Sequence, residues 1–241
     1  MAAVNGEDPF ARSAALLGDE VMARLRRMHV AVVGVGGVGS WCAEALARTG
    51  VGRLTLFDGD AVAISNLNRQ CEAAADTVGE RKVSAMLSRL LAVAPGCEVT
   101  AVDRRIGGFA DLEADRYRYD FIVDAIDDVA AKAELILGAT EAGVPIVSSM
   151  GAARRTDPTR VELRRFDKVE GDALARALRQ RFRKLNRFPA VKFECAVSSE
   201  PPAAIDCLGS VMPVTCAFGM ALASAVIAGA RRSSSAAEGN P

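Results

Sequence analysis

Four groups of residues in this chain have side chains and spacing suited to handling phosphate. In "GVGGVGS", Gly34, Gly36, Gly37 and Gly39 lack side chains where backbone amides must approach an anion, and Asp58 follows at the distance of a ribose-binding acid. This loop by itself suits NAD and ATP equally. The second group, "FDGDAVAISNLNRQ", sets Asp58 and Asp60 at a predicted strand end and follows them with Asn66, Asn68, Arg69 and Gln70. A dinucleotide has no use for an arginine and amides there. A triphosphate does, because a guanidinium neutralises phosphate oxygens in a forked contact and the amides hold sugar or phosphate hydroxyls. In the third group, Lys82 opens a predicted helix, where its ammonium and the helix amino terminus both favour phosphate. Asp127, in "DAIDD" just past a strand end, is placed to hold a magnesium ion bridging phosphates. Each has a plain structural alternative: Asp60 as a turn cap, Lys82 as a solvated lysine, Asp127 as the N-cap of a helix beginning near Val129. Taken together the groups favour ATP, because all of them fall at carboxyl ends of strands beside the glycine loop.

The elements that must position these groups alternate. His29 to Val33 is a short β-rich run, "GSWCAEALARTG" is a helix stopping at Gly50, and "RLTLFD" is a strand stopping at Asp58. "GERKVSAMLSRLLAVAP" is a second helix, and "CEVTAVDRRI" and "DFIVDAI" are strands. "VAAKAELILGATEAG" is a helix and "VPIVSSM" a further strand. Such alternation predicts an α/β fold: a Rossmann-like, doubly wound, mostly parallel sheet with a C-terminal extension and with ligands at the carboxyl ends of its strands. Residues 1–150 form the ATP-binding core in this reading. Residues 151–230 continue the same domain with the strand "RVELRRF", an arginine-rich helix and an apolar run, and 231–241 is a disordered tail.

Composition narrows the classes. With 241 residues, half of them apolar and a quarter charged, the chain has the composition of a globular protein. The net charge is zero, but Gly151 to Lys192 holds thirteen Arg or Lys against five Asp or Glu. That asymmetry suits a polyanion such as nucleic acid; the plain alternative is a solvated helix. The uncharged run Val211 to Ala230 has the length of a membrane span, yet its Pro213, Thr215 and many small residues point to a helix packed on the sheet or at a dimer interface. The opening stretch is too polar for a signal peptide, so a cytoplasmic protein is expected. None of the six cysteines forms a C-x-x-C pair, which disfavours zinc and redox-dithiol chemistry. Cys195, beside a basic segment that would lower its pKa, is read as a packed residue, with a catalytic thiol as the alternative. His29, the single histidine, is read as structural.

"GVGGVGS", "DGD", "SNLNRQ", Lys82 and "DAIDD" together resemble the adenylating domain of the ubiquitin-activating-enzyme-like (ThiF/MoeB-type) superfamily, from about Arg12 to Gly229. The resemblance implies ATP-driven conversion of a carboxylate to an acyl-adenylate, with Asp58 on the ribose, Asn68, Arg69 and Lys82 at the phosphates, and Asp127 organising Mg2+. Arg12 matches an arginine lent to the neighbouring subunit's site, so a homodimer is implied. Within the superfamily, "RSAALLGDEVMARL", "GVGGVGSWCAEALARTGVG", "SSEPP" and "GSVMPVTCAFGMALASAVI" are similar to the bacterial tRNA threonylcarbamoyladenosine dehydratases. That likeness implies tRNA carrying threonylcarbamoyladenosine as substrate and leaves room for a sulfur-relay partner protein. The rival within enzymes is adenylation of a ubiquitin-like sulfur carrier, whose activators usually carry two C-x-x-C pairs. A nucleotide-sensing module without turnover is the rival from another class.

Overall fold

The segment His29–Val33 (β1) is apolar in four of its five positions and buried on both faces, as the centre of a parallel sheet requires. The computed structural model describes Asp8–Ser235 and builds a seven-stranded sheet around that strand. Two helices, α1 (Ala11–Leu17) and α2 (Asp19–Arg27), precede it. After it come α3 (Gly39–Thr49), β2 (Arg53–Asp58), α4 (Lys82–Val93), β3 (Glu98–Asp103), α5 (Ala114–Tyr117), β4 (Phe121–Asp124), α6 (Val129–Glu141) and β5 (Ile146–Ser149). The chain closes with β6 (Val161–Arg165), α7 (Ala173–Leu185), β7 (Glu194–Ser198) and α8 (Met212–Ser235). The strand order is β3-β2-β1-β4-β5-β7-β6, parallel throughout except for the antiparallel edge pair β6–β7. The doubly wound expectation therefore holds. The order runs outward from β1 in one direction and from β4 in the other, which opens a crevice above their carboxyl ends.

Alternate residues of each central strand feed two cores. Val30, Val32, Leu54 and Leu56 pack on one face with α3 and α8, while Ala31, Val33, Ile122 and Cys195 pack on the other with α6 and α7. The apolar run is the packed helix expected of it: in α8, Phe218, Leu222 and Val226 are buried, against α3 and the β5-β7-β6 end of the sheet. Its small residues have a steric reason. A Cβ on Gly219 would stand 2.6 Å from the Val38 carbonyl oxygen, so α8 approaches α3 at backbone distance.

Three readings of the sequence change. The strand β7 had no sequence signal of its own, and it inserts between β5 and β6, so the hairpin-like pair sits at the edge. Cys195 is the packed residue expected, fully buried inside this strand, but burial pushes its thiol up to about 12, opposite to the lowering offered for the alternative of a catalytic thiol. The tail expected to be disordered from 231 instead continues α8 through Ser235, with Arg232 in the last turn, where a cation suits the helix dipole. Residues 236–241 lie outside the described residues. His29 is structural as expected: its Nε2 shares a hydrogen bond with Thr55 Oγ1 at 2.8 Å and its Nδ1 meets the Tyr117 carbonyl at 3.0 Å. Burial holds its pKa below the usual value.

Candidate active site

The glycine loop joins β1 to α3 with its first glycine in the left-handed region, φ +89°, where a Cβ would stand 2.8 Å from the Ala125 carbonyl oxygen. A Cβ on Gly39 would lie 1.8 Å from the Gly34 carbonyl oxygen, so only glycine lets the turn close. The result is an α-helix amino terminus aimed into a cleft of about 1190 Å³ above β1 and β4. Gly34, Gly36, Gly37, Asp58, Asp60, Asn66, Arg69, Gln70, Lys82 and Asp127 all line this cleft. Gly39 and Asn68 do not, and Arg12 lies exposed on α1, away from the cleft of its own chain.

Asp58 ties the loop to the strand end. Its carboxylate accepts the Val35 amide at 2.8 Å and the Asp60 amide at 2.9 Å. Lys82, almost buried, holds its ammonium 3.1 Å from Asp60 and 4.0 Å from Asp58. Arg105 meets Asp60 from the other side at 2.7 Å. Burial pushes the Asp60 carboxyl up, but the bonds from Lys82 and Arg105 win and hold it below the usual carboxylate range.

Arg69 is set over the loop by packing that the sequence did not reveal. Its stem lies 3.3 Å from where a Gly37 Cβ would be, and the Trp41 indole donates to the Arg69 carbonyl at 2.9 Å. The guanidinium bonds to the Ser65 carbonyl and to Asn68 Oδ1, at 2.8 and 2.9 Å. Asn68, expected at the phosphates, is exposed beside this guanidinium and donates to the Ser210 carbonyl at 3.0 Å, which ties it to the segment before α8. Asn66, on the cleft wall, accepts the Ala63 amide at 3.0 Å.

The helix-cap alternative for Asp127 is removed by its neighbour. Asp128 caps α6, accepting the Ala131 amide at 2.8 Å, which leaves Asp127 on the cleft wall. Beneath both lies a network that the sequence reading missed. Asp124, fully buried at the end of β4, accepts from Lys132 Nζ at 2.7 Å, from Ser148 Oγ at 2.6 Å and from the Ile126 amide at 3.3 Å. Among the described residues no three His, Cys, Asp or Glu side chains converge as a metal centre. Asp127, a carboxylate on the cleft wall with neither a helix cap nor an ion pair among the described residues, suits Mg2+, which takes most of its ligands from phosphates and water.

The far wall, above β5, is built by Arg155 and Asp172. Arg155 is 5% exposed; it donates to the carbonyls of Gly151 and Glu200 and pairs with Asp172 at 3.4 Å. Asp172 also caps α7, accepting the Ala175 amide at 2.9 Å, so the helix begins at the cleft and Ala173 and Leu174 line it.

Glu72, two residues beyond Gln70, is 3% exposed, and neither of its carboxylate oxygens has a hydrogen-bond partner. The nearby Ser40 hydroxyl is committed to the Gly36 carbonyl at 2.7 Å. Burial pushes the Glu72 carboxyl up to about 7. Its folded pKa lies above the unfolded value near 4.5, so folding is favoured most at low pH and stability falls as pH rises from about 4.5 to about 7. Glu72→Gln fixes the neutral form. It should raise stability by about 1–3 kcal/mol at pH 8 and change it little at pH 5. Thermal melts of both proteins at the two pH values test this, and an equal shift at both would refute the assignment.

With this geometry in place, the fold and site define a class: the chain belongs to the ThiF family, whose model matches residues 10–231. It is 41% identical over 175 residues to the tRNA threonylcarbamoyladenosine dehydratase of Bacillus subtilis, a match spanning 73% of this chain and 69% of that protein. The dehydratase of Haemophilus influenzae is 34% identical over 232 residues, 93% of this chain and 89% of the other. The Escherichia coli tRNA N6-threonylcarbamoyladenosine dehydratase solved in complex with ATP superposes with a TM-score of 0.89 at 34% identity, covering 99% of this chain and 100% of that one. The same enzyme in complex with AMP gives 0.89 at 33% identity.

Proposed function

We propose that this chain is a tRNA threonylcarbamoyladenosine dehydratase, which uses ATP to dehydrate and cyclise N6-threonylcarbamoyladenosine in tRNA through an acyl-adenylate. The observation that carries the reading is the shape of one continuous cleft. A phosphate-binding half made by the glycine loop, Arg69 and Lys82 opens directly onto a second half where the basic helix α7 begins. On α7, Arg176, Arg183 and Lys184 are exposed, which suits the backbone of an RNA entering the second half. Similarity to dehydratases along nearly the whole chain supports the same substrate.

The threonyl carboxylate attacks the α-phosphorus of ATP, pyrophosphate leaves, and a nucleophile within the same side chain closes a five-membered ring on the acyl carbon as AMP departs. The nucleoside loses one water in total. Asp58 holds the ribose, the amino terminus of α3 receives phosphate oxygens, and Arg69 and Lys82 neutralise the charge that grows on them. Asp127 would hold Mg2+, whose contribution when bound is to screen the phosphate oxygens. Lys82 is pre-positioned on Asp58 and Asp60, so little reorganisation is needed when phosphate arrives. The helix α1 contributes no buried residue, and its Leu16 is 81% exposed. That face suits a homodimer in which Arg12 serves the partner's cleft. The cytoplasm, where tRNA resides, is the fitting compartment.

The test is to incubate the purified protein with ATP, magnesium and tRNA bearing threonylcarbamoyladenosine, and then weigh the nucleosides after mild digestion. An ATP-dependent loss of one water is expected. No mass change, with pyrophosphate exchange appearing only on addition of a Gly-Gly-ended carrier protein, would move the substrate from RNA to protein.

A further inference from the structure

Two consecutive arginines on the β5 side of the cleft have opposite fates. The Arg155 guanidinium is wholly occupied with the Gly151 and Glu200 carbonyls and with Asp172. Arg154 also lines the cleft and is half-buried, yet among the described residues its side chain makes no hydrogen bond or ion pair. Its backbone is held at φ +62°, a left-handed conformation uncommon for a residue with a long side chain. Two bonds fix it there, both to the segment between β7 and α8. The Arg154 amide donates to the Gly209 carbonyl at 2.7 Å, and the Ala203 amide donates to the Arg154 carbonyl at 2.7 Å. Unfavourable backbone geometry kept at a cleft wall for a side chain without a protein partner points to a partner that comes from outside.

The strand order places that partner. The residues suited to ribose and phosphate follow β1, β2 and β4, whereas Arg154 follows β5, on the side where α7 begins. Resting on the tRNA reading above, we propose that Arg154 grips a backbone phosphodiester of the RNA next to the reacting nucleoside, as the first cation of a track that continues along α7 through Arg176 and Arg183. A forked guanidinium suits a phosphodiester, whose charge is spread over two oxygens. The threonyl carboxylate is the poorer partner, since a nucleophile neutralised by arginine would attack phosphorus more slowly.

Arg154→Gln removes the charge at similar length, and Arg154→Gly removes the side chain at a φ that glycine adopts freely, so its melting temperature should equal or exceed that of the wild type. Affinity is measured for ATP, for tRNA bearing threonylcarbamoyladenosine and for the same tRNA unmodified, the last two across a range of salt. Both variants should bind ATP within about twofold of wild type and both tRNAs about tenfold more weakly. The slope of log affinity against log salt should be shallower by about one contact. Weakening confined to the modified tRNA would assign Arg154 to the carboxylate instead and overturn the proposal. Unchanged affinity for both tRNAs, or a parallel loss of ATP binding, would also overturn it. Wild-type protein that bound neither tRNA would instead sink the substrate reading on which the proposal rests.

Discussion

Lys82→Ala and Arg69→Ala are each expected to give folded protein in which adenylate formation is slower by about two to three decades, equivalent to about 3–4 kcal/mol of transition-state stabilisation. Neither change removes a structural support. Alanine is the best helix former at the first position of α4, and Asp60 keeps Arg105 as a partner. The Arg69 backbone stays anchored through its carbonyl to Trp41. What disappears is a fixed cation where charge accumulates on transferred phosphate. Without Lys82, the carboxylates of Asp58 and Asp60 also face incoming phosphate with less positive charge between them, so that variant should show the larger rise in KM for ATP. The measurements are tRNA-dependent exchange of labelled pyrophosphate into ATP and the mass of product nucleosides, with circular-dichroism melts as the control for folding. Turnover within about threefold of wild type in either variant would refute the site assignment.

How legible this site was depended on the range of the interaction. Glycine spacing, the strand end at Asp58 and the amino terminus of α4 are local properties, and the alternation of apolar runs located them. Which acid caps α6 depends on a single bond, and the sequence reading offers Asp127 for the cap that Asp128 makes. The bond of Asn68 to Ser210 was not legible at all, because it spans 142 positions of the chain. The strand β7 pairs with β5 and β6 across long connections, and a five-residue run between charged segments carries no period long enough to reveal it. Arg154 and Arg155 are adjacent in sequence and identical in type. Only the tertiary structure shows that one is consumed in the wall and the other is not.

Lys132 was the least legible residue. Reading "VAAKAELILGATEAG" as a helix does not say where its lysine faces; α6 is covered on nearly all sides, so both its flank and its charge are buried. Its pair with Asp124 is wholly inaccessible, with 0% side-chain exposure on both partners. Lys132→Met is therefore expected to be strongly destabilising, by about 3–5 kcal/mol, because it leaves Asp124 charged and buried with only Ser148 and one amide for company. Against the roughly 5–15 kcal/mol that holds a typical domain folded, this is a large share. For a chain of this size it lowers the melting temperature by about 10 °C. The companion Asp124→Asn with Lys132→Met removes both charges and should recover much of the loss, since a neutral pair of similar volume avoids the cost of desolvating ions. The double-mutant cycle in denaturant separates the alternatives. A single change costing less than about 1 kcal/mol would mean that water or another cation reaches Asp124. A double variant no better than the single would mean that Lys132 acts through packing of its stem rather than its charge. Asp124 also accepts the Ile126 amide, one residue before Asp127. A stable double variant with weakened ATP turnover would then show that this buried pair sets the position of the carboxylate in the cleft as well as the strength of the fold.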